Sequence, residues 1–247
     1  GDQWAASLTT MEWMRAGLVD EIRADLPPII AAVFPYALFL DQLVAGSEQF
    51  ISLIAHEAFH AYQGQVAPER LVAAEAALRE EAAYPWEETT EAWSWELETL
   101  VAAISAETNE ESSRLATEFL AIREQRRVDA HLTPGQIGLE QQREWLEGLA
   151  RYVELAVWRE AAAAPAYRPV AALDADPDFG GYAVYDARWQ RELEQMGRVS
   201  HDPGETRFYY SGMGIATLLD RLAPGWKGRA LEPEITLEGL LAEALRD

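Results

Sequence analysis

Residues 53–62 read LIAHEAFHAY, which puts His56, Glu57 and His60 within five positions. How this stretch is read decides the rest, because the two histidines share a face only if the segment is helical. Phe50, Leu53, Ile54 and Phe59 make it largely apolar, as expected of a buried active-site helix. Ser47 is placed to cap its start, and Gly64 to stop it after Gln63. At i and i+4 the two rings project from one face, with Cβ atoms about 6 Å apart. Imidazoles so spaced can both reach one tetrahedral Zn2+ at about 2.0–2.1 Å each. Glu57 points about 100° around the helix from His56. There it stands beside the metal and polarises a bound water instead of ligating the ion.

A catalytic zinc site needs a third protein ligand. The continuation with Gly three and His six residues after the second histidine is ruled out, because Gln63 and Val66 stand there. His131 and His201 fall in expected loops and read as surface residues. Glu80, in LREEAAYPW, belongs to a polar helix end and reads as a solvated face. Glu147 lies in REWLEGLARYVELAVW, a helix with Trp145 (or Leu146), Leu149, Tyr152 (or Val153), Ala156 and Val157 turned inward. Gly148 and Ala150 there admit a close helix neighbour. A carboxylate on so tightly packed a stretch needs a partner, since unpaired burial is costly. Zinc would be that partner, and Glu147 is preferred over Glu80.

Composition narrows the alternatives. The chain has no cysteine, which excludes disulfides, thiolate metal sites and a cysteine nucleophile. Any transition metal must therefore sit on His and carboxylate. A net charge of −22 with a single lysine, Lys227, speaks against nucleic acid. The acids read as a solvated acidic surface. The longest uncharged run, Leu26 to Leu40, has fifteen residues and three prolines, too short and broken to span a membrane. The chain opens Gly-Asp-Gln without Met, which leaves room for an extracytoplasmic location with a signal or anchor removed.

Periodicity predicts a mostly α fold with a minor β element just before the histidine helix. Residues 3–25 read as an amphipathic helix, and Ile29–Phe34 and Tyr36–Leu40 as short strands. Helices follow over 69–83, 86–108, 110–129 and 136–163, with breaks at Pro85-Trp86 and Thr133-Pro134-Gly135. Residues 165–185 read as loop, and helices resume at 186–198, 211–223 and 236–246. The whole, 1–247, is read as one domain, with 1–135 and 136–247 as conceivable subdomains.

HEAFHAYQ followed by WLEGLARYVE resembles the gluzincin branch of the zincin metallopeptidases, over about a fifth of the chain directly. The resemblance implies His56, His60 and Glu147 as zinc ligands and Glu57 as general base. It also implies an oxyanion donor from a later segment, for which His201, Tyr209 and Tyr210, just before the 211–223 helix, are the candidates. Two departures stand out. The interval of 86 residues between His60 and Glu147 is long, and Arg151 occupies a position often acidic in the family. Glu154, two turns past Glu147, is placed to contact a ligating histidine instead. The expected activity is hydrolysis of peptide or protein substrates through a zinc-bound water. The alternatives are hydrolysis of a non-peptide amide or ester, a silent zincin-like binding domain, and a plain helical scaffold.

Overall fold

The computed structural model describes residues 46–246 and the isolated positions Val19, Arg23 and Ala31. The expected helix at 3–25 therefore lies outside the described residues, apart from Val19 and Arg23, which are helical. The two expected strands also lie outside them, apart from Ala31, again helical, and no strand occurs among the described residues. The fold there is α throughout, and no described helix is long and apolar enough to cross a membrane.

The histidine helix, α1, spans Ser47–Val66. Gly64 does not stop it. The chain bends at Ala67, because Pro68, at the first turn of α2 (Pro68–Ala77), is suited to begin a helix and not to continue one. Ser47 does not cap α1 either. Gly46 holds the cap position at φ 94°, and the Ser47 hydroxyl donates instead to Asp176 Oδ2 at 2.5 Å. A 3-10 turn, Leu78–Ala83, completes the second helical segment.

α3 (Thr90–Ser105) and α4 (Asn109–Asp129) form a hairpin. Trp93, Leu97 and Leu100, spaced for one face of α3, are fully buried, and Phe119 meets them from α4. Thr108 caps α4 by accepting from the Glu111 amide. α5 (Pro134–Arg143) opens with the capping box Thr133–Gln136 and passes through a π turn, Glu144–Gly148, into α6 (Leu149–Ala163). The expected helix at 136–163 is thus continuous but carries one widened turn. The expected loop holds a single helical turn, α7 (Ala171–Asp174), before α8 (Tyr185–Val199).

α9 spans Thr206–Leu222, so it starts five residues earlier than expected and carries Tyr209 and Tyr210 within it. A short α10 (Trp226–Arg229) and α11 (Leu237–Ala244) end the described chain. α1 packs on α6, while α9 packs on α3, the π turn, α6 and α11. Packing therefore crosses the conceivable division at 135/136. Phe208, Met213 and Ile215 carry α9 into the same core as Trp93 and Trp145.

Candidate metal centre

α1 and the α5–α6 helix bring the ligand candidates together. His56 Nε2 lies 3.3 Å from Glu147 Oε2, and His60 Nε2 lies 3.4 Å from the same oxygen. The ligand atoms of all three residues fall within 4.8 Å of one another. A tetrahedron with bonds of about 2.0–2.1 Å has edges of about 3.3–3.4 Å. The two histidine–glutamate spacings match such an edge.

The outer nitrogens fix which atoms face inward. His56 Nδ1 donates to Glu154 Oε1 at 2.8 Å, the contact expected of Glu154. On His60 the partner is Gln63 Oε1, 2.9 Å from Nδ1. The Gln63 amide nitrogen donates to the Trp145 and Leu146 carbonyls of the π turn, so its oxygen must face His60. Both histidines then carry hydrogen on Nδ1 and present Nε2 to Glu147. Neutral rings would aim two lone pairs at a carboxylate. Only a cation in the middle, a proton or a metal ion, relieves that.

Electrostatics follow the same geometry. Burial alone would lower the His56 imidazole, but Glu147 and Glu154 outweigh it and hold it at about 9. Burial would raise the Glu147 carboxyl, yet His56, His60 and Arg143 keep it well below the usual carboxylate range. A two-imidazole, one-carboxylate set with fixed outer partners fits a zinc ion.

Glu57 is half-buried and makes no hydrogen bond or ion pair among the described residues, so its carboxylate is free. The three oxyanion candidates separate. Tyr209 lies 3.4 Å from Arg143 Nη2, itself 3.3 Å from Glu147 Oε1. Burial, and then the charges of Glu147 and Glu205, push its phenol above the usual range. Tyr210 sits 3.4 Å from Arg151 Nη2, in the group behind His56 that also ties Arg151 to Glu154 and Glu192. His201 is exposed, with Nδ1 3.0 Å from Ser94 Oγ on α3, and does not join the cluster. Glu80 pairs with its neighbour Arg79 and lies against Gly135, and His131 is an exposed turn residue at φ 52°.

Sequence reasoning missed two contributors, Gln63 and Arg143. Gln63 is fully buried, and its only sequence signal was an amide sharing the face of His56 and His60. Arg143 stands one helical turn before Glu147, a spacing that brings their side chains together. Compared with family models, curated proteins and solved structures, the chain finds no match.

Proposed function

We propose that this protein is a zinc-dependent peptidase of the zincin type. The observation that carries the reading is the convergence of two Nε2 atoms and one carboxylate oxygen, with both outer nitrogens already engaged. His56, His60 and Glu147 would hold the ion. When bound, zinc supplies Lewis acidity toward a carbonyl and makes water a nucleophile near neutral pH.

The remaining chemistry belongs to the chain. Glu57, unpaired and one residue from His56, accepts a proton from the attacking water and delivers it to the leaving amine. Tyr209, kept protonated in its partly buried position beside Glu147, donates a hydrogen bond to the oxyanion that develops on the substrate carbonyl. Of the three candidates it is the one joined to the ligand group through Arg143. Glu154 and Gln63 hold the two rings in the ligating tautomer.

Glu57→Gln is the deciding variant, because an amide cannot accept the proton. It should retain zinc stoichiometry and lose peptide hydrolysis by at least about 100-fold, the contribution typical of a positioned acid–base group. Full hydrolysis by the variant would remove Glu57 from the mechanism. Loss of zinc would recast it as a ligand.

A further inference from the structure

We propose that Arg143 is a positioning residue that assigns the two Glu147 oxygens to different tasks, an inference that rests on the metal-site reading. Its Nη2 lies 3.3 Å from Glu147 Oε1, while Oε2 alone faces both histidines. The last torsion of a glutamate side chain is broad and roughly two-fold, so a free carboxylate presents either oxygen or both. A guanidinium held on one oxygen removes that freedom before any ion arrives.

Arg143 is placed for this work by α9. Nη2 also contacts Glu205 Oε2 at 2.6 Å and Tyr209 Oη at 3.4 Å, and the guanidinium stands 5.8 Å from the Tyr209 ring centre. Glu205 immediately precedes α9 and Tyr209 lies in its first turn, so one buried cation links the ligand glutamate to the oxyanion donor. The side chain is buried, and its Nε has no hydrogen-bond partner among the described residues. Nη2 alone makes the contacts to Glu147, Glu205 and Tyr209.

The test compares R143Q, R143K and E205Q with the unaltered chain. Zinc dissociation constants come from chelator competition, and metal-free melting temperatures control for folding. R143Q should weaken zinc binding about 10- to 100-fold, the range for loss of an outer-shell partner. R143K, which restores a cation on Oε1, should recover most of that loss. E205Q removes the charge of one of the two ties to α9 but leaves Arg143 on Glu147 and Tyr209, so it should bind zinc within about threefold of the unaltered chain. R143Q binding just as tightly would overturn the inference. So would affinity losses that track melting-temperature losses in R143Q and E205Q alike, which mark a merely structural arginine. An unaltered chain that binds no zinc would instead overturn the metal reading, and this inference with it.

Discussion

At the scale of single residues, a proton and the proposed metal ion would compete for one place. His56 is held at about 9 between Glu147 and Glu154, against about 6.5 for a free imidazole. In the metal-free protein this pairing stabilises the fold fully below about pH 6.5, and the gain is lost as pH rises through about 9. A zinc ion bound by these three residues would have to displace the same proton. Its affinity should therefore climb about tenfold per pH unit until about 9 and level off above, read by chelator competition across that range. An affinity flat between pH 7 and 9 would contradict the pairing. The residues legible in the sequence were those whose chemistry is set by local spacing or by an evident lack of partners: His56, His60, Glu57, Glu147 and Glu154. Gln63 was noted only for failing a different pattern. Its role depends on carbonyls 82 and 83 residues away, which no local signal announces. Tyr209 and Tyr210 were indistinguishable because the start of α9 was placed too late. Once both lie on the helix, one side chain reaches Arg143 and the other Arg151.

At the scale of elements, the π turn organises the site. It carries Glu147 to the histidines and Glu144 to Arg123 and Ser211, and its Trp145 and Leu146 carbonyls receive Gln63. Widened turns of this kind are often found at functional sites. Periodicity predicted a continuous helix there, since four residues with ordinary helical propensities and one glycine reveal nothing about one extra residue in the repeat. The glycine was a better guide: Gly148 was expected to admit a close neighbour, and α9 is that neighbour. A Cβ on Gly148 would fall 2.5 Å from the Gly212 Cα, which is backbone and cannot move aside cheaply. Gly148→Ala should therefore cost about 1–3 kcal/mol of stability. It should also weaken zinc binding, because Glu147 is the adjacent residue. Denaturant unfolding and zinc titration of the variant check both, and a protein unchanged in both would show that the contact is slack.

At the scale of the molecule, the acidity is not only a surface property. The sequence read the acids as solvated, but Glu96, Glu140 and Glu144 are essentially inaccessible. With Glu238 they enclose Arg123, Arg126 and Arg127. The misreading has a physical cause. α4 turns arginines as well as Phe119 inward, so hydrophobicity does not mark its buried face, and the partners come from four other helical elements. Four carboxylates meet three guanidiniums here, and burial raises Glu144 above its ordinary range. Arg123→Met strands Glu144, leaving it only the Ser211 hydroxyl among the described residues, and takes one of two guanidiniums from Glu96, so it should cost about 3–5 kcal/mol. Glu144→Gln relieves the surplus and should cost clearly less; equal losses in denaturant unfolding would contradict this charge balance. This lattice anchors Glu144, three residues from Glu147, and so ties the fold to the site. The central claim is that the site holds zinc, and an anomalous difference map from a zinc-soaked crystal tests it most directly. The account predicts a peak bonded to Nε2 of His56, Nε2 of His60 and a Glu147 oxygen, each at about 2.0–2.2 Å. No peak among these three residues at saturating zinc, or a peak there with Glu147 turned away, would contradict it.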